Sequence, residues 1–137
     1  MRANKIVLDS YAVLALLQNE SEAAHVEKYL YEARKGAVNL FLSLMNWGEI
    51  YYSIWKSKGE ALAEKSLLAM RELPIKLIDI NYDLVYQAAK FKGQHSLSFA
   101  DCFAAALAKI EDCPVLTGDK EFEAIKEKIT IIWLKKA

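Results

Sequence analysis

Four carboxylates in this 137-residue chain have types and spacings that suit chemistry. Asp9 ends the apolar run Ile6-Val7-Leu8, and Asp119 follows Val115-Leu116-Thr117-Gly118. Ligands of open parallel sheets bind outside the carboxyl ends of the strands, so two acids at strand ends would share one rim. Each also suits the N-cap of a following helix, because Asp is a preferred cap. Asp101 lies in a stretch, Phe99 to Ile110, that is apolar on every side of a helical wheel apart from Asp101 and Lys109. A helix that is hydrophobic all round is buried, so Asp101 belongs in a core or at its edge, beside the small Ala104, Ala105 and Ala108. Ser98-x-x-Asp101 reads equally as a capping box. An unpaired buried carboxylate is costly, and a metal ion would balance it. Glu49 is the fourth acid. It shares a polar strip with Asn46, Ser53 and Lys56, opposite Leu44, Trp47, Tyr51, Ile54 and Trp55. A solvated face explains that strip, although Asn46-Trp47-Gly48-Glu49 sets two polar groups one turn apart.

The elements that would position these acids alternate. Strands are expected at Ile6 to Leu8, Val38 to Leu42, Ile75 to Ile80, Val115 to Thr117 and Ile129 to Leu134. Helices are expected at Tyr11 to Gln18, Ser21 to Lys35, Leu44 to Lys56, Glu60 to Glu72, Tyr82 to Phe91, Phe99 to Glu111 and, shorter, Lys120 to Lys128. Gly36, Gly59, Pro74, Gly93 and Pro114 punctuate them. Strands separated by helices require crossovers and a parallel sheet covered on both faces. The expected class is α/β, three layers, with a mostly parallel sheet of about five strands, in one domain spanning residues 1–137.

In order and spacing, Val7-Leu8-Asp9-Ser10, Asn46-x-x-Glu49, Leu97-Ser98-Phe99-Ala100-Asp101 and Leu116-Thr117-Gly118-Asp119 resemble the four acidic motifs of PIN-domain ribonucleases, most nearly the VapC-type toxins of toxin–antitoxin pairs. The resemblance runs from Asp9 to the final strand. It implies a divalent-metal site made by Asp9, Glu49, Asp101 and Asp119, with Ser10, Asn46 and Thr117 as polar neighbours. It implies hydrolysis of RNA without a covalent enzyme intermediate, a homodimer, and a cognate antitoxin protein. Carboxylates and water are the ligands that Mg²⁺ and Mn²⁺ prefer, and such ions activate water for phosphodiester displacement. A housekeeping RNA-processing nuclease and a catalytically silent protein-binding module of the same fold are the alternatives.

Composition narrows the remaining classes. The chain is 54% hydrophobic and 26% charged, with five Gly and two Pro, which excludes a disordered or linker-rich protein. Eighteen basic residues balance eighteen acidic ones, so no gross charge points to nucleic acid. Setting aside the four acids leaves 18 cations against 14 anions, a surplus of the sign a phosphate backbone needs. Lys90, Lys92 and His95 could line the substrate path or merely end a solvated helix. Cys102 and Cys113 fit neither a disulfide framework nor a zinc site and read as reduced thiols of a cytosolic protein. The longest uncharged run, Gly36 to Gly48, is too short for the roughly 20 residues of a membrane span, and the N-terminus does not read as a signal peptide. The aromatic helices around Tyr31 and Trp55 suit a subunit or partner contact.

Overall fold

Period-2 alternation sends the side chains of each strand to opposite faces of one sheet. A computed structural model describes residues 4–137. In β1 (Lys5–Leu8) Ile6 and Leu8 join one core while Val7 joins the other. The same split divides Leu40 and Leu42 from Phe41 in β2 (Asn39–Ser43), and Leu116 from Val115 in β4 (Val115–Thr117). β3 (Ile75–Ile78) and β5 (Ile131–Trp133) flank them. All five strands are parallel, in the order β3-β2-β1-β4-β5. The expected α/β class, with helices on both faces of about five strands, is the one found.

On one face lie α1 (Ser10–Leu17), α2 (Ala23–Arg34), α3 (Leu44–Lys58) and α4 (Glu60–Arg71), packed on Leu8, Leu40, Leu42 and Leu116. On the other lie α5 (Tyr82–Gln94) and α6 (Phe99–Glu111), packed on Val7 and Val115. As its apolar wheel requires, α6 is buried from Ala100 through Ala108 and packs against α3, α5 and the central strands. Some boundaries differ from those expected. α5 runs through Gly93 and ends at Gln94, because one Gly costs a helix only about 1 kcal/mol. β3 stops at Ile78 and β5 covers only Ile131–Trp133. The stretch after Asp119 is a 3₁₀ turn, Lys120–Ile125, rather than a helix through Lys128.

The topology has one reversal. The chain builds outward from β1 through β2 to β3, then crosses back so that β4 pairs with the other side of β1. The crevice where strand order reverses is the usual ligand site of an open α/β sheet, and the ends of β1 and β4 carry Asp9 and Asp119.

One close approach guards that crevice. A Cβ added to Gly118 would stand 2.3 Å from Tyr11 Cε1 and 2.8 Å from Cζ. The Tyr11 hydroxyl donates to Glu22 Oε2 at 2.7 Å, and Glu22 is itself buried. Gly118→Ala must therefore shift the partly exposed ring and strain its bond to Glu22, at the cost of about one hydrogen bond, roughly 0.5–1.5 kcal/mol. A lower melting temperature is expected, and Gly118→Ala should cost nothing further in a Tyr11→Ala background, where the ring is gone. A single variant as stable as wild type would contradict this close fit.

Candidate metal centre

Each of the four acids is positioned by a local motif with its own physical reason. Asp9 ends β1 and caps α1, its Oδ1 accepting from the Ala12 N–H at 2.9 Å. Its other oxygen accepts from the Thr117 hydroxyl at the end of β4. The same Thr117 oxygen accepts from the Asp119 N–H at 2.9 Å, and Asp119 in turn caps the 3₁₀ turn through the Glu121 N–H. Cap and site are thus one arrangement at both strand ends. Thr117 ties the two together across the β1–β4 pair.

Asp101 settles its two readings differently. Its backbone N–H donates to Ser98 Oγ at 3.1 Å, so Ser98 is the cap of α6. Its carboxyl group instead meets that of Asp119. Asp101 is 5% exposed, and Asp9 and Thr117 are wholly buried. Glu49 is half-buried on α3, near enough for its charge to act on both Asp9 and Asp101.

The polar strip expected on α3 is corrected by the structure. Asn46 is fully buried, in line with Ile50 and Ile54. Its Nδ2 donates to Ser10 Oγ at 3.0 Å and to the Ala100 carbonyl at 3.2 Å. The Ser10 hydroxyl donates to the Asn46 carbonyl at 3.3 Å. One amide therefore pins α1, α3 and α6 together behind the acids. A single-helix wheel misses this because α3 packs on both α1 and α6. Asn46 Oδ1 is buried with no hydrogen-bond donor.

Electrostatics follow from the crowding. Burial, then the charge of Asp119 and of Glu49, pushes the Asp9 carboxyl up to about 7 against the lowering hydrogen bonds of Thr117 and Ala12. Burial, then the charges of Asp9, Asp119 and Glu49, pushes Asp101 up to about 8. Two carboxyls that hold their protons near neutrality mark a place short of positive charge. No lysine or arginine makes an ion pair with any of the four acids among the described residues.

Oxygen atoms of Asp101, Asp119 and Glu121 lie within 4.8 Å of one another. The donor set is all carboxylate, which fits a hard divalent cation. Glu121 went unread in the sequence. Its only signal is an acid two residues beyond Asp119, brought back toward the site because Asp119 caps a tight 3₁₀ turn rather than a loop. Asp9 and Glu49 stand outside that closest trio.

Other expected residues part company with the acids. Lys92 donates to the Leu97 carbonyl at 2.7 Å, Lys90 lies over the Tyr86 ring, and His95 contacts Lys128. Cys102 is core, as expected, and burial pushes both thiols up, Cys113 to about 11. Neither is a thiolate at neutral pH. Among the described residues no helix is long and apolar enough to cross a membrane.

A family profile described as PIN domain matches residues 6–128. No curated protein matches the chain significantly. Solved structures do. VapBC2 from Rickettsia felis, bound to a DNA fragment from its promoter, aligns with a TM-score of 0.75 at 14% identity, over 96% of this chain and 99% of the other. DNA-bound VapBC from Salmonella typhimurium aligns at 0.73 and 18% identity, over 94% and 97%. Mycobacterium tuberculosis VapC20, a sarcin–ricin loop cleaving toxin, aligns at 0.70 and 16% identity, over 87% and 93%.

Proposed function

The chain belongs to the PIN-domain family, and from that premise we propose that residues 1–137 act as one divalent-metal-dependent endoribonuclease, the toxin of a toxin–antitoxin pair. The observation that carries the reading is the buried carboxyl cluster at the β1–β4 crevice, where burial and then the charges of neighbouring acids raise Asp9 to about 7 and Asp101 to about 8. Asp9, Glu49, Asp101 and Asp119 are the proposed ligand and catalytic set. Glu121 joins them from the 3₁₀ turn. Mg²⁺ or Mn²⁺, when bound, supplies positive charge to the phosphodiester oxygens and to the attacking water.

The chain's own groups do the rest. The Thr117 hydroxyl and the Ala12 N–H fix the Asp9 carboxylate in one orientation. Ser10 and Asn46 hold the N-termini of α1, α3 and α6 at fixed separation, so the acids cannot spread under their own repulsion. With its proton displaced, a carboxylate of the cluster is a base for the attacking water, which is general base catalysis by a positioned group. The displaced ribose oxygen leaves as the new P–O bond forms.

Partners follow the same reading. Tyr31, Tyr52 and Trp55 are exposed aromatics, and a separate groove of about 410 Å³ is lined by Val13, Leu42, Trp47, Met70, Leu73 and Leu77 among others. These surfaces support a homodimer and an antitoxin segment with an apolar face. VapBC neighbours of the same fold support the second.

The test is cleavage of a fluorescently labelled stem-loop RNA. Cutting is expected in Mg²⁺ or Mn²⁺, lost in EDTA and regained when metal is returned. Undiminished cutting in EDTA would remove the metal mechanism.

A further inference from the structure

Away from the acids lies a recess of about 400 Å³ lined by Gln87, Lys90, Phe91, Gln94, Lys109 and Lys128. Three of its six lining residues are lysines and none is acidic. Lys90, Lys109 and Lys128 form no ion pair with a carboxylate among the described residues. Lys90 Nζ lies 5.3 Å from the Tyr86 ring centre and Lys109 Nζ 6.0 Å from that of Phe91. Lys128 Nζ donates to Gln94 Oε1 at 2.6 Å and stands 3.1 Å from His95 Nε2.

Ammonium groups gathered round a concavity that no carboxylate lines suit a ligand with a row of negative oxygens. A sugar–phosphate backbone carries such a row. Like charges gathered round one concavity raise its affinity for a polyanion.

We propose that this recess is a second RNA subsite, which grips the sugar–phosphate backbone of the substrate at a distance from the bond that is cut. Phosphate oxygens meet Lys90, Lys109 and Lys128. Lys109 lies eight residues beyond Asp101 on α6, roughly 12 Å along the axis. A strand several nucleotides long is therefore needed to occupy both places. This inference rests on the ribonuclease reading above.

The experiment uses the full chain and its triple variant Lys90→Gln, Lys109→Gln and Lys128→Gln, whose exposed positions leave the core intact. KM for a single-stranded RNA of about 20 nucleotides is measured over a range of KCl. Single-strand affinity falls with salt at a slope of about 0.7 per neutralised phosphate, so three lost contacts should flatten the log–log slope by about 2. The loss should fall in KM rather than in kcat. An equal slope in both proteins overturns the subsite while leaving the nuclease intact. So does a variant that loses affinity for inorganic phosphate yet keeps that for RNA. If wild type neither binds nor cuts RNA, the ribonuclease reading fails first and the subsite falls with it, and that outcome is seen before any variant is made.

Discussion

Asp101→Asn is expected to reduce RNA cleavage by about a hundredfold to a thousandfold, the usual loss when one electrostatic element of a catalytic centre is removed, without destabilising the metal-free protein. The fold should tolerate the change because the cap of α6 is Ser98, which accepts from the backbone N–H at residue 101 whatever the side chain. Near neutral pH the native carboxyl is already largely protonated, pushed up to about 8 by burial and by the charges of Asp9, Asp119 and Glu49. An amide of the same shape keeps that neutral state and ends the repulsion. With metal the balance reverses, since the variant offers a dipole where the native residue offers a charge. Stabilisation by a ligand grows as RT ln(1 + [L]/Kd). Mn²⁺ should therefore raise the melting temperature of the wild type clearly and that of the variant little. Paired melts with and without Mn²⁺, beside the cleavage assay, decide it. Native cleavage with an equal Mn²⁺ shift would make Asp101 structural and undo the four-acid site.

The second large effect is a stability profile that runs against the habit of folded proteins. Acids are usually paired in the native state, so stability falls as pH drops. Here Asp9 and Asp101 are raised, from 3.8 to about 7 and about 8. Below pH 3.8 both states hold these protons and the site costs nothing. Above it the unfolded chain releases them while the folded chain keeps them. The contribution of each group is lost as pH climbs from about 4 to about 7 for Asp9 and to about 8 for Asp101, by at most about 1.4 kcal/mol per pH unit. Urea melts in EDTA should show a midpoint that declines between pH 5 and pH 8, and Mn²⁺ at pH 8 should restore it. Asp9→Asn with Asp101→Asn should flatten the decline. A metal-free wild type equally stable at pH 5 and pH 8 would refute the crowding.

How much of this was legible in the sequence varies with the kind of signal. Asp9 and Asp119 could be read because each closes a short apolar run, and the end of a strand is a fixed place in a parallel sheet. Asp101 could be read because α6 is apolar on every side, which only a helix enclosed by its neighbours can afford. Asn46 could not. A helical wheel assigns one buried face, whereas α3 is covered from two directions, by α1 and by α6. Glu121 hid for another reason: Lys120 to Lys128 has the composition of a solvated helix, and only the 3₁₀ geometry turns its first acid toward the cluster. The lysine recess is the extreme case. Lys90, Lys109 and Lys128 are 19 residues apart at each step, on two helices and a turn. No local pattern joins them.

The strand order has a consequence for biosynthesis. β1 is made first, yet it lies in the middle of the sheet, and its pairing with β4 joins Asp9 to Thr117 across 108 residues of sequence. Contacts so far apart form late, after the entropy of closing the intervening chain has been met. At the usual 5–20 residues per second, the ribosome needs roughly 5–20 s between the two residues. Throughout that interval the nascent chain carries Asp9 without the Thr117 and Asp119 that complete its rim of the site. On the proposed ribonuclease reading, a chain so wired stays harmless to the messenger and ribosome that are producing it until its last strands emerge.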